Sequence, residues 1–256
     1  MRIFTRSRFV FVAFALMLST AGCATQNPEA KAAGEVFDPY ENTNRSVHSF
    51  NLAVDRYAFR PASKGYVTIV PEPMVTSFSS FAQNLSMPGQ AINALLQGNP
   101  KLAGQALARF AMNTTIGFLG LADPATEFNL PQVDTDFGKT LAVWGVGEGP
   151  YVELPVYGPS TARDATGILV DFFTNPIGYA RNNPADNISV YAEVVRRMGD
   201  RGRYSDTVDS ILYESADSYA QARLLYLQNR RFELGETAEI TEITEIDPFE
   251  LDTEGF

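Results

Sequence analysis

One cysteine, one histidine and one tryptophan are all that this 256-residue chain has of those residues. A single cysteine excludes an intrachain disulfide and a cysteine metal cage, and with a single histidine most zinc chemistry goes too. Positive charge is also short, with 20 Lys and Arg against 30 Asp and Glu. The formal net charge of -10 excludes a sequence-independent grip on nucleic-acid phosphates and a polybasic membrane patch. Beyond the first 22 residues no apolar run approaches the roughly 20 residues that a bilayer-crossing helix needs. The richest stretch, 110–122, is interrupted by Asn113, Thr114 and Gly117. Motifs of catalysis are missing as well. No Gly-x-Ser-x-Gly elbow occurs, and Gly145-Val146-Gly147-Glu148-Gly149 lacks the third glycine of a dinucleotide loop while carrying an acid that would repel a pyrophosphate. Asp134-Thr135-Asp136-Phe137-Gly138 begins like a calcium loop, but its glycine comes one position early and no glutamate closes it. No metal or cofactor is therefore expected. At 45% hydrophobic and 12% aromatic residues the chain is not disordered throughout, so it must work through shape, apolar surface or carboxylates.

What is present begins with a secretion signal. Arg2, Arg6 and Arg8 precede an apolar run from Phe9 to Leu18, and small residues follow up to Cys23, so residues 1–22 read as a signal peptide. Ala21-Gly22-Cys23 resembles the bacterial lipobox, in which the cysteine is lipidated after cleavage; Thr20 departs from the usual leucine. Ala24, which is not an aspartate, favours outer-membrane sorting by the same resemblance. Residues 23–37, with Pro28, Gly34 and alanines but no apolar period, read as a tether. At the other end, residues 233–256 hold nine acids and no base, which argues for a solvated tail.

Between these ends, 38–232, the pattern is that of helices parted by proline and glycine, and strand patterns are scarce. Asp38-Pro39-Tyr40-Glu41 has the form of a capping box, with Asp38 as N-cap and Pro39 at the first helical position. Val47, Phe50, Val54 and Tyr57 then mark one apolar face, ended by Arg60-Pro61. Short helices are expected over 61–70 and 73–85, a further one opened by Pro88 up to Gly98, and another from Asn99-Pro100 through Phe110. The longest amphipathic stretch runs from Tyr204 to Arg231. Residues 151–157 are extended, and Pro150, Pro155 and Pro159 deny them a central place in a sheet. The fold class is all-α, with little or no sheet.

The string Asp38-Pro39-Tyr40-Glu41, followed by Asn44-Arg45 and Phe50-Asn51, resembles the opening motif of the MlaA (VacJ) family of Gram-negative outer-membrane lipoproteins. Further fragments keep the family's order: Asn84-Leu85, Leu96-Gln97-Gly98, Arg109-Phe110, Asn113-Thr114, Phe137-Gly138, Gly145-Val146-Gly147, Gly149-Pro150-Tyr151, Leu154-Pro155 and Arg163-Asp164. The resemblance spans about residues 36–232. It implies a ring-like bundle of amphipathic helices lying in the membrane interface around an amphipathic channel, held beside trimeric porins. It also implies a function without catalysis: removal of phospholipids strayed into the outer leaflet and their delivery to the periplasmic carrier MlaC, which maintains lipid asymmetry.

On that resemblance Asn44, Arg45, Asn113, Thr114, Phe118, Leu119 and Leu121 are candidates for the channel or its mobile loop. A bond from Asn44 or Arg45 to a carboxylate such as Asp164 or Asp123 is the structural alternative. Asp38, Pro39, Phe50, Asn51, Arg109, Phe137, Gly138, Gly149, Pro150, Tyr151, Arg163 and Asp164 are expected to hold the fold. Trp144 and Tyr151 are candidates for the head-group level, as interfacial aromatics are. Two other functions compete: a structural lipoprotein that bridges porin and envelope, and an acyl hydrolase using His48.

Overall fold

The computed structural model describes residues 36–179 and 188–235. The signal peptide, Cys23, most of the tether and nearly all of the acidic tail lie outside them.

The first helix, α1 (Glu41–Val54), passes through one turn of π-helix (Asp55–Phe59) straight into α2 (Arg60–Ile69). Arg60-Pro61 was expected to end it and does not. The widened turn lets the proline follow without the clash that a regular helix imposes on the carbonyl four residues back. The chain breaks instead at Val70, whose extended backbone (φ -89°, ψ 124°) is what a residue before proline adopts. The expected cap is also different. Tyr40, not Asp38, takes the N-cap position, without a side-chain bond to the helix, because the Asp38 carboxylate is drawn to the far end of the chain.

Helix α3 (Glu72–Leu96) is a single 25-residue rod where two helices were expected. Pro88 lies inside it, and the Ser86 hydroxyl donates to the Gln83 carbonyl (2.7 Å) in the turn before the proline. Helix α4 (Pro100–Thr115) starts where Asn99-Pro100 indicated, the Asn99 side chain accepting from the Leu102 amide. Short α5 (Pro124–Glu127) and α6 (Phe137–Val143) follow, capped by Asp123 and Asp136. Then come an antiparallel hairpin of β1 (Tyr151–Leu154) and β2 (Gly158–Thr161), with Tyr151 opposite Thr161, and helices α7 (Ala162–Thr174) and α8 (Pro176–Tyr179). The helix α9 (Ile188–Arg203) packs on α2 and α3. The expected stretch from Tyr204 to Arg231 is divided: α10 (Ser205–Asp209) runs into a second π-helical turn (Ser210–Glu214), Ser215 is extended, and Asp217 caps α11 (Ser218–Glu233).

The interior is unusual. Of the 13 buried hydrophobic residues among those described, seven are alanines, whereas Arg109, Asn84, Thr140, Thr161 and Ser63 are among the largest fully buried side chains. Small residues let elements approach closely. A Cβ on Gly167 of α7 would lie 2.3 Å from the Gly138 amide nitrogen of α6, so only glycine fits that crossing. Outside, large apolar side chains face away from the protein, among them Phe50, Tyr57, Ile69, Phe118 and Phe128. On α1 the polar residues facing the protein are Asn44, His48 and Asn51, beside Leu52 and Val54, while Phe50 and, in the π-helical turn, Tyr57 face outward. Among the described residues no helix is long and apolar enough to cross a membrane.

Candidate functional site: an amphipathic cavity

The helices surround an open-sided cavity of about 1120 Å³. Ordinary small-molecule pockets occupy roughly 300–1,000 Å³, so this space exceeds them. Each wall brings polar groups: Asn51 and Asp55 at the end of α1, Gln90 and Asn93 from α3, Glu153 and Tyr157 from the hairpin, Asp171 from α7, and Glu193, Arg196, Arg197 and Arg201 from α9. Apolar residues stand between them, including Leu52, Ile168, Val190 and Val194.

The charges on this wall are tied in pairs. Asp171 accepts from Asn93 Nδ2 (2.8 Å) and from the Phe137 amide (2.9 Å); burial nevertheless pushes its carboxyl above the usual range. Burial acts on Glu193 in the same direction, but hydrogen bonds from Arg196 and Arg197 outweigh it and hold its pKa down. Arg201 spans Asp55 (2.9 and 2.8 Å) and Asp209 (2.6 Å), and Tyr213 donates to Asp55 (2.7 Å). Arg60 and Lys64 reach the same Asp209 (2.6 and 3.0 Å), so its carboxyl lies far below the usual range, the Arg60 hydrogen bond being the largest cause. This cluster joins the two π-helical turns, since Asp55 and Tyr213 belong to them and Arg60 and Asp209 flank them.

A second polar seam joins the first and last described elements. Asp38 receives Asn44 Nδ2 (2.8 Å), the Tyr219 hydroxyl and Arg223. Asn44 also donates to the Tyr151 carbonyl (3.1 Å) and accepts from the Glu153 amide (3.0 Å). The neighbouring Arg45 pairs with Glu41 (2.7 Å) and Asp217 (2.8 Å), and not with Asp164 or Asp123. The Tyr151 hydroxyl donates to Glu153, and burial, then that carboxylate, pushes its pKa up. Tyr151 is thus fully buried and not a head-group aromatic, whereas Trp144 is half exposed with its indole N–H on the Leu96 carbonyl (3.0 Å).

The other candidates fall into local structure. Asp123 binds Arg109 (2.8 and 2.7 Å) and Asn113 (2.8 Å), and Asn113 accepts from the Ala125 amide (3.1 Å). Thr114 accepts from Asn84 (3.0 Å). These bonds brace a loop in which Phe118, Leu119 and Gly120 all have positive φ (51°, 63° and 98°); Phe118, Leu119 and Leu121 are exposed at its tip. Gly120 is pressed on Asn84, 2.6 Å from where its Cβ would be. Asp164 is held by Arg230 (3.0 Å), Arg163 and the Tyr226 hydroxyl (2.7 Å), Phe137 stacks edge-on with Trp144, and Gly149 (φ 70°) turns the chain into Pro150. Pro39 forms the exposed turn before α1. Of all the candidates for channel or loop, none is among the residues lining the cavity; of those assigned to the fold, Asn51 and Arg109 are.

His48 is buried and in reach of two partners, Ser218 Oγ at 3.0 Å and Glu153 Oε1 at 3.3 Å. Hydroxyl, imidazole and carboxylate in that order are the parts of a hydrolase triad. Here Glu153 is already shared with Tyr151 and Asn51 (3.2 Å), and Asp217 occupies the Ala220 amide (3.1 Å) at the helix start beside Ser218. The three groups link α1, β1 and α11.

The cavity wall of α9 and the Asn93 to Asp171 pair were not singled out from the sequence. Residues 93 and 171 are too far apart to announce each other. On α9, Val190, Val194, Arg197 and Arg201 recur at helical spacing, a signal that was there to find.

A helical ring whose hollow mixes charged and amide groups with apolar side chains, and whose outer face exposes large apolar residues, is the architecture of an amphiphile-handling membrane-interface protein. The family model described as MlaA lipoprotein matches residues 36–233, and the chain belongs to that family. It is 34% identical to the intermembrane phospholipid transport system lipoprotein MlaA of Escherichia coli, over 85% of this chain and 86% of that one. To the protein of the same name in Haemophilus influenzae it is 31% identical, over 90% and 92%. A solved structure described as the structural basis for maintenance of bacterial outer membrane lipid asymmetry superposes with a TM-score of 0.67 at 34% identity, covering 77% of this chain and 98% of that one.

Proposed function

We propose that this chain is an outer-membrane lipoprotein, lipidated at Cys23 on the periplasmic side, that takes mislocalised glycerophospholipids from the outer leaflet through its cavity. A soluble carrier of the MlaC kind receives them, and a trimeric porin holds the ring in place. The observation that carries the reading is the cavity of about 1120 Å³ with charged and amide groups on its wall, inside helices that expose Phe50, Tyr57 and Ile69 outward. Moving a head group through hydrocarbon costs several kcal/mol or more. The polar groups on a mixed wall lower that barrier while acyl chains remain against apolar surroundings. The kinship with proteins named for intermembrane phospholipid transport supports the same reading, and it contains no bond-breaking step.

Deleting the protein should raise outer-leaflet phospholipid and detergent sensitivity. The wild-type chain should restore both, and the Cys23→Ser chain should not. Unchanged outer-leaflet phospholipid in the deletion would sink the proposal.

A further inference from the structure

Among the described residues, Arg109 and Arg201 on the cavity wall each leave one nitrogen without a partner, Nε and Nη1 respectively, whereas Arg197 leaves both of its terminal nitrogens free. Its neighbour Arg196 spends every nitrogen, on Glu193 (2.8 and 2.7 Å) and Asp200 (2.8 Å). Arg197 spends only Nε, which donates to Glu193 Oε1 (2.8 Å); among the described residues no hydrogen bond reaches its two terminal nitrogens. The guanidinium is nevertheless fixed, since it lies 4.5 Å above the ring of Tyr157, which also lines the cavity. A guanidinium stacked on an aromatic ring and anchored through Nε keeps its outer fork in one plane, and that fork is the shape that grips a phosphate through two parallel bonds.

The opposite side of this pair is equally prepared. Tyr157 follows Val156 in the hairpin turn, and Val156 has φ 67°, a left-handed value that a β-branched residue adopts only under constraint. Asn51 supplies the constraint: its Oδ1 accepts from the Val156 amide (2.7 Å) and its Nδ2 donates to the Leu154 carbonyl (3.0 Å). Backbone strain held by neighbours in this way is characteristic of ligand clamps. On the α9 cavity face Val194 and Val190 stand one and two turns before Arg197, beside Ser189, Glu193 and Arg196. The valine row thus leads to the arginine over about 10 Å, a step of 1.5 Å per residue.

We infer that Arg197 and Tyr157 form a phosphodiester-binding station in the cavity, which holds the head-group phosphate of a glycerophospholipid while its acyl chains lie along Val190 and Val194. This rests on the transport reading and names the residues at which the lipid pauses. Asn51 is a positioning residue, acting through the turn that presents Tyr157.

The test uses the full lipoprotein in detergent, titrated with dioleoyl phosphatidylglycerol, with dioleoylglycerol, which has no phosphate, and with inorganic phosphate as competitor. The wild type should bind the phospholipid more tightly than the diacylglycerol, and millimolar inorganic phosphate should not displace it. Arg197→Gln should lose about tenfold in phospholipid affinity, the range of one charge-assisted hydrogen-bonded pair, with diacylglycerol affinity and melting temperature unchanged. Arg197→Lys should recover part of the loss, and Tyr157→Leu should lose less than Arg197→Gln. Wild-type phospholipid affinity in Arg197→Gln, or equal losses for both lipids, would overturn the station while leaving the transport reading intact. Displacement by inorganic phosphate would reassign the site to free phosphate and overturn it too. A wild type that binds neither lipid would instead count against the transport reading itself.

Discussion

The two sides of the ring follow opposite rules. Toward the hollow and at the seams, Asn44, His48, Arg109, Asp164 and Arg201 are buried, each bound to named partners. Toward the surroundings, Tyr57, Ile69 and Phe118 are the more exposed, at 79%, 82% and 79%. A water-soluble protein distributes these residue types the other way. Cohesion here draws on charge pairs and close helix crossings beside small apolar clusters, whereas many large apolar side chains face the surrounding medium. The two sides should therefore respond differently to substitution.

The largest effect is expected at the inner seam. Asp209→Ala would leave Arg201, which is 93% buried, with Asp55 as its one remaining carboxylate, and would free Arg60 and Lys64. Breaking a buried pair of this kind costs about 3–5 kcal/mol, to be read as a fall in the melting temperature of the full chain in detergent; an unchanged midpoint would show the seam to be ornamental. Gly167→Ala comes next, because its methyl would meet the Gly138 backbone at 2.3 Å. Overpacking typically costs about 1–3 kcal/mol, again measured by melting, and a stable Gly167→Ala would mean that α6 and α7 can slide apart. The outer face comes last. Ile69→Ser should change folding stability by less than about 0.5 kcal/mol, yet weaken partition into phospholipid vesicles about tenfold, as loss of one buried aliphatic side chain does. Undiminished partition would place Ile69 outside the lipid contact.

Acid separates the sides as well. Asp209 and Asp164 titrate below the usual carboxylate range, and Arg45 holds Asp217 at about 2. A lowered pKa stabilises the fold fully above the unfolded value of about 4 and loses that contribution as pH falls through the folded one. Melting temperature should hold between pH 7 and 5 and drop below about 4. Asp171, raised by burial, works in the opposite sense: its charged form opposes folding above the raised value, and that opposition fades as the carboxyl is protonated on going to low pH.

Helix starts were legible in the residues themselves: Asn99-Pro100 opens α4, and Arg60-Pro61 stands at the head of α2. Hydrophobic periodicity also revealed that α1 has two faces, but a period carries no sign. Val47, Phe50, Val54 and Tyr57 read equally well as a core stripe or as a lipid-facing one, and only the partners of Asn44, His48 and Asn51 decide between them. Pro88 misled because a proline's effect depends on what else can satisfy the turn before it. The cavity residues were hidden for a different reason. Asn93 with Asp171 and Tyr157 with Arg197 are pairings across the ring, made by topology and not by spacing.

The bond from Asp38 to Tyr219 and Arg223 ties the first described turn of the chain to its last helix, and Val36 packs on the cluster of Tyr151, Tyr219 and Leu227. A leash of the kind proposed at Cys23 would hang from the same buckle that shuts the belt. Any tug on it would load the clasp before it reached the walls, so the opening could keep its calibre while the whole body swings.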